Sequence, residues 1–205
     1  MRTTPGLWLG RIPLVLASNS QIRRDLLHAA GLTAEVVPAN IDERDIESQL
    51  NCAVDEVASN LAKTKALAVC TLRPQAYCLG ADQTLSVGGR QLHKPADING
   101  ARETIKFLSG RTHCLTSAYC LAQGGRVVGA GSDRAFLTMR KFETSEIERY
   151  LDQAEPDVVS SVGAYRVEGL GIHLFEAIEG DYTTVLGLPM LKLLETLRQQ
   201  RLLSF

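Results

Sequence analysis

The stretch that most constrains this chain is Leu14-Val15-Leu16-Ala17, which runs into Ser18-Asn19-Ser20-Gln21-Ile22-Arg23-Arg24 and then into residues 25–32. The apolar run makes a buried strand. A hydroxyl-rich turn and then a helix follow. Cations are disfavoured at the positive end of a helix, yet Arg23 and Arg24 both fall in its first turn. Two readings stand. Either both arginines face water, or the turn receives an anion such as phosphate, where helix N–H groups already point.

Beyond this opening, helical and hairpin signals alternate with no repeat and no low-complexity linker. Residues 34–37 read as a short strand and residues 41–47 as an acidic loop or turn. Residues 54–69 carry helical periodicity through Val54, Val57, Leu61 and Ala68. A strand over 77–81 runs on to Val87, and Gly88-Gly89 signals a hairpin. Asp97 caps a helix through Ala101, Ile105 and Leu108 that stops at Ser109-Gly110. A second hairpin joins 113–122 to 126–130 around Gly124-Gly125, and 135–139 adds another strand.

Towards the end, Ser145 and Glu148 read as a capping box, and 163–182 as a glycine-punctuated, strand-like segment. Pro189 opens a last helix with Leu191, Leu194 and Leu197 on one face. Helices mixed with hairpins predict an α/β protein with a mixed sheet; a purely parallel, doubly wound sheet fits less well. Residues 1–13 read as a loose N-terminal extension and 14–205 as a single domain.

The 205 residues carry 22 Lys and Arg against 23 Asp and Glu, so the formal charge is −1 and no basic surface is available for a nucleic-acid polymer. A single nucleotide needs only a local basic pocket. The 5 cysteines are an odd set with no C-x-x-C spacing, which argues against a disulfide framework or a zinc site and fits a reducing cytoplasm. Arg11 and Pro13 interrupt the first apolar stretch, so it does not read as a signal peptide. No run approaches the ~20 apolar residues of a membrane span.

Charges in unusual places carry the chemistry. No G-x-x-x-x-G-K-[ST] loop is present, and Gly169-Leu170-Gly171 lacks the third glycine of a dinucleotide fingerprint. Lys65 continues the apolar stripe of Val57 and Leu61, either snorkelling or aimed at a phosphate as a point charge. Asp82 ends an apolar, small-residue run, where a carboxylate either caps a turn or is paired or bound to a cation. Lys94-Pro95 follows the first hairpin and returns a cation towards that strand. Glu43 and Glu168, each alone, read as solvated surface groups. Taken together these residues outline a hard-cation site facing Arg and Lys, with a carboxylate to activate water.

With those residues in view, the chain resembles the Maf family of nucleoside triphosphate pyrophosphatases from about Leu14 to about Leu197. The matching segments come in family order: Leu14 to Ser18 with Arg23-Arg24, Asp42-Glu43, Leu61 to Ala66, Leu79-Gly80-Ala81-Asp82, Lys94-Pro95 and Leu108 to His113. Then follow Ala164-Tyr165 through Glu168-Gly169, Gly180-Asp181-Tyr182 and Val185 to Pro189. The resemblance implies hydrolysis between the α and β phosphates, giving a nucleoside monophosphate and pyrophosphate, as a house-cleaning activity. It implies an elongated mixed sheet flanked by helices, shared with inosine triphosphatases, and a cytoplasmic homodimer with no membrane or nucleic-acid partner.

By the same resemblance Asp82 is the base or water-orienting carboxylate. Ser18, Ser20, Arg23, Arg24, Lys65 and Lys94 hold the triphosphate, and Glu43 with Asp82 places a divalent cation, Mg²⁺ or Mn²⁺. Members acting on dTTP and UTP usually show Ser-Pro-Arg-Arg, Asp-Thr and a glutamine before the late glycine. Here the stretch is Ser20-Gln21-Ile22-Arg23-Arg24, Gln83 follows Asp82, and Glu168 takes the glutamine's place. Gln83 and Glu168 resemble the subgroup that prefers 7-methylguanosine triphosphate, although that subgroup tends to place an aromatic residue where Ile22 stands. A carboxylate there would accept from guanine N1–H and the N2 amine and favour a cationic base. The alternatives are a dTTP- or UTP-preferring pyrophosphatase, a hydrolase of deaminated purines, and a nucleotide-binding regulator of cell division with little turnover.

Overall fold

A computed structural model of the chain describes residues 7–154 and 157–205. Seven strands form a mixed open sheet flanked by helices, in the order β2-β1-β3-β5-β6-β7, with β4 beside β3. The strands are β1 (Leu14–Leu16), β2 (Ala34–Val36), β3 (Tyr77–Val87), β4 (Arg90–Leu92), β5 (Thr112–Gln123), β6 (Arg126–Met139) and β7 (Phe175–Glu179). The helices are α1 (Gln21–Ala29), α2 (Glu43–Gln49), α3 (Val57–Leu72), α4 (Ile98–Leu108), α5 (Thr144–Ala154), α6 (Tyr182–Val185) and α7 (Met190–Gln199). Two compact units result: residues 1–83, 117–133 and 187–205 in one, and 84–116 with 134–186 in the other. No sequence boundary marks them, because β3, β5 and β6 each contribute to both.

In the first unit β1 pairs in parallel with both β2 and β3. One sheet face packs Leu14, Leu16, Leu79, Ala81 and Leu121 against α1 and α7. The opposite face is built from small residues: Val15, Ala17, Cys78, Ala118, Cys120 and Ala122 meet Ala58, Ala62 and Ala66 of α3. Period-2 alternation along the strands separates the two sets. Burial pushes the Cys78 and Cys120 thiols up, to about 12 and about 11, which leaves them un-ionised at neutral pH.

Residues 7–13 are not loose. Trp8 bridges to Leu203, Leu9 N–H donates to the Leu202 carbonyl and Trp8 Nε1 donates to the Ile12 carbonyl.

In the second unit β3 turns back antiparallel into β4, and β6 pairs antiparallel with β7. Both glycine pairs occupy the left-handed region, with φ of 56° and 81° at Gly88-Gly89 and 57° and 76° at Gly124-Gly125. Two-residue hairpin turns require that conformation. The unit's core joins Ile105, Leu108, Leu115, Leu137, Met139, Leu151 and Tyr165.

Several expectations need correction. Residues 41–47 are not an acidic loop: α2 forms because Asp42 accepts from Asp45 N–H at 3.0 Å, and Glu43 and Asp45 favour the positive helix end. Residues 126–130 and 135–139 are one strand, β6. Its glycines mark close approach, since a Cβ at Gly129 would lie 2.3 Å from Thr196 Cγ2 and one at Gly131 2.9 Å from the Tyr119 ring.

The cap of α5 lies two residues earlier than Ser145, where Glu146 accepts from Glu143 N–H at 2.9 Å; Glu148 instead pairs with Arg102. Residues 163–182 are mostly turns, with a 3₁₀ turn over Leu170–Leu174 and a strand only at β7. On α7 the buried stripe is Met190, Leu193 and Leu197, whose 3-then-4 spacing stays in line, while Leu191 is exposed.

Candidate active site

The alanine face of α3 lets that helix lie directly on β3. Gly80 completes the fit: a Cβ there would sit 2.1 Å from the Ala62 carbonyl oxygen and 2.6 Å from Ala66 N. Asp82 is two residues further along β3 and so faces the same helix. Lys65, one position before Ala66, therefore meets it. Its Nζ lies 2.5 Å from Asp82 Oδ1 and 2.7 Å from Glu43 Oε1. Lys65 and Asp82 are both buried, whereas Glu43, in the first turn of α2, is half exposed. Asp82 lies inside the strand and caps no turn.

Removal from water pushes the Asp82 carboxyl above the ordinary carboxylate value. Lys65 and Arg23 pull the other way, and Glu43 adds to the rise. Asp82 thus sits between two cations yet binds a proton more readily than an exposed aspartate. A carboxylate whose proton affinity is raised in this way is a stronger base than a free one.

Arg23 resolves the oddity of cations at the start of α1. The residue is 9% exposed. Nε donates to the Gly187 carbonyl at 2.9 Å, and Nη1 donates to the Ala81 carbonyl at 2.9 Å and to Ser18 Oγ at 3.1 Å. Burial pulls its pKa down while Asp82 and Glu43 hold it up, and a guanidinium stays charged throughout. Arg23 therefore ties the β1–α1 turn, the residue before Asp82 and the entry to α7 together. Nη2 has no hydrogen-bond partner among the described residues.

The other expected site residues fall in three places. Ser18 Oγ also accepts from Ser20 N–H at 3.2 Å, and Ser20 caps α1 by accepting from Arg23 N–H at 3.5 Å. Both hydroxyls keep a proton to donate. Ile22 is half-buried on α1, and Arg24 is exposed and donates to Gln21 Oε1. Gln83 follows Asp82 on the opposite face of β3, where its Nε2 donates to Ser117 Oγ at 3.0 Å. Lys94, after β4, and Glu168, in the turn before Gly169, are exposed groups of the second unit.

Sequence reasoning missed Ser117, which reads as one more small strand residue. It also missed the buried pair His113 and Tyr165, although both stand in segments that the sequence reads as strands.

No cluster of three or more His, Cys, Asp or Glu suited to a metal exists among the described residues. Glu43 and Asp82 do converge on one cationic atom, and two hard oxygen donors fit Mg²⁺ when phosphates and waters complete its shell. No helix among the described residues is long and apolar enough to cross a membrane.

The fold and site define a class: a mixed α/β protein whose central strand carries a buried carboxylate between a lysine and an arginine. The Maf-like protein family model matches residues 13–200, and the chain belongs to that family. A protein from Rhodopseudomonas palustris (strain BisB18) named nucleoside triphosphate pyrophosphatase is 50% identical over 200 residues, covering 97% of this chain and 99% of that one. One from Mesorhizobium japonicum named 7-methyl-GTP pyrophosphatase is 47% identical over 188 residues, covering 90% and 94%. A solved nucleoside-triphosphatase / dITP/XTP pyrophosphatase from Mycobacterium abscessus aligns with 62% of this chain and 73% of its own at 15% identity, with a TM-score of 0.39. That likeness is too faint to build on.

Proposed function

We propose that this chain is a nucleoside triphosphate pyrophosphatase, a hydrolase that adds water across the α–β phosphate anhydride and releases a nucleoside monophosphate and pyrophosphate. The observation that carries the reading is the buried Lys65–Asp82 pair with Glu43 on the same ammonium. The names of relatives at 46–50% identity support the reaction class.

Asp82 orients the attacking water and takes its proton, for which its raised pKa equips it. Lys65 neutralises charge at the phosphates and holds Asp82 in place when substrate is absent. The unpartnered Nη2 of Arg23 and the hydroxyl protons of Ser18 and Ser20 are donors for phosphate oxygens, with Arg24 and Lys94 as further cations. Glu43 and Asp82 would hold a divalent cation, Mg²⁺ or Mn²⁺, which when bound supplies positive charge against the triphosphate.

For the base, 7-methylguanosine triphosphate is the proposed preference, with Gln83 and Glu168 as its readers and Ile22 at the position that shapes its entry. The Mesorhizobium japonicum relative's name supports this choice. The protein acts in the cytoplasm, as a homodimer.

The test is pyrophosphate release with Mg²⁺ or Mn²⁺ from a panel of UTP, dTTP, GTP, ITP and 7-methyl-GTP. Release with the highest kcat/KM for 7-methyl-GTP is expected. A preference for UTP or dTTP would overturn the role given to Gln83 and Glu168. Tight binding without release would favour the regulatory reading and overturn the enzymatic one.

A further inference from the structure

The second unit holds a buried polar pair that the proposed chemistry does not use. His113 on β5 is 1% exposed and Tyr165 is 6% exposed. His113 Nε2 lies 2.6 Å from the Tyr165 hydroxyl, and His113 Nδ1 is buried with no partner among the described residues. Burial keeps the imidazole neutral at pH 7. If Nε2 carried the proton, both the Tyr165 O–H and Nδ1 would be left unpaired. The arrangement that orphans fewer groups has the Tyr165 hydroxyl donating to Nε2. Replacing either ring by an apolar one of similar size would remove a polar burden from this core, so its presence asks for a reason beyond packing.

The turn around Tyr165 supplies that reason. Ser161 Oγ accepts from Tyr165 N–H at 3.0 Å and donates to the Tyr165 carbonyl at 2.6 Å. The Tyr150 hydroxyl donates to the Ala164 carbonyl at 3.2 Å. Ala164 takes a φ of 57°, a left-handed conformation that costs of order 1 kcal/mol for a residue with a Cβ and persists only where its surroundings enforce it. The Tyr165 ring meets Phe175 edge-on at 4.8 Å. After it the chain folds back with Gly169 N–H donating to the Arg166 carbonyl at 3.2 Å. Glu168 lies within that turn, three residues beyond Tyr165.

We propose that His113 and Tyr165 are positioning residues: their hydrogen bond pins the strained Ala164–Gly169 turn and thereby sets where the Glu168 carboxylate is presented to the base. This rests on the reading of Glu168 as a base-specificity residue, and two separate readouts keep the two claims apart. The first is limited tryptic cleavage after exposed Arg166, followed by mass spectrometry in wild type, Tyr165→Phe and His113→Gln, with cleavage after exposed Arg126 as the reference.

Loss of the pin is expected to speed cleavage after Arg166 at least fivefold in Tyr165→Phe while cleavage after Arg126 stays unchanged. His113→Gln, whose amide oxygen can still accept from Tyr165, is expected to lie between. Unchanged cleavage after Arg166, or an equal rise at both sites, would overturn the anchoring. The second readout is the ratio of kcat/KM for 7-methyl-GTP over UTP. Glu168→Gln and Tyr165→Phe are both expected to lower it severalfold. A flat ratio in Glu168→Gln would overturn the role of Glu168 and leave the anchoring to be judged by cleavage. A lowered ratio in Glu168→Gln with a flat one in Tyr165→Phe would overturn the positioning role.

Discussion

Buried His113 makes the stability of this protein depend on acid in a way that can be worked out in advance. Desolvation lowers its pKa from 6.5 to about 4 in the folded chain, whereas the unfolded chain titrates near 6.5. The neutral ring is therefore favoured by folding. Its contribution is fully present above pH 6.5 and is lost as the pH falls through 6.5 towards 4. Linkage between these two values gives a loss of about 2.5 kcal/mol between pH 7.5 and pH 4.5. For a chain of this length that is roughly 5–10 °C in Tm.

The assay is urea or thermal unfolding of wild type and His113→Gln across pH 4.5–7.5. Glutamine does not titrate, so subtracting the two curves cancels every other group. The wild-type stability is expected to fall more steeply by about 2.5 kcal/mol over that range. Parallel curves would refute the reasoning, because they would mean that the imidazole is hydrated and titrates alike in both states.

Other expectations follow from the packing of the site. Gly80→Ala places a methyl group against the Ala62 and Ala66 backbone, so it should cost about 1–3 kcal/mol by urea midpoint and part Lys65 from Asp82, abolishing most turnover. Asp42→Ala removes the α2 cap for about 1 kcal/mol or less of stability and loosens Glu43. Its half-saturating Mg²⁺ concentration should rise while kcat at saturating metal holds. Arg23→Lys replaces a fork by a point charge, so Tm and kcat should both fall. A raised KM with Tm and kcat unchanged would show that Arg23 only binds phosphate.

The elements that position the site were legible where local physics decides. The Gly-Gly hairpins, the Asp97 cap of α4 and the stripe leading to Lys65 all follow from residues within a few positions of one another. Lys65 and Asp82 could be singled out because a charge inside an apolar pattern must find a partner. That they find each other was not legible, since it depends on the alanine face of α3 meeting Gly80 across the sheet.

Arg23 shows the same limit. Its place in the first helical turn was plain, but besides Ser18 Oγ its acceptors are the carbonyls of Ala81 and Gly187, and no side chain marks a carbonyl in a sequence. Residues 41–47 misled because acidic density reads as solvated loop until Asp42 is recognised as a cap. Residues 163–182 misled because β-branched and aromatic residues between glycines resemble strands, whereas Ser161 closes them into a turn.

The central claim is that Asp82 is the carboxylate through which this protein hydrolyses a nucleoside triphosphate. The most direct measurement is pyrophosphate release by wild type and Asp82→Asn under saturating substrate and Mg²⁺, with Tm measured on the same samples. Removal of a positioned general base lowers rates by about 10²–10⁴-fold. A fall of that size in kcat, with a Tm showing that the variant is folded, is the expected result. Full turnover by folded Asp82→Asn would contradict the account.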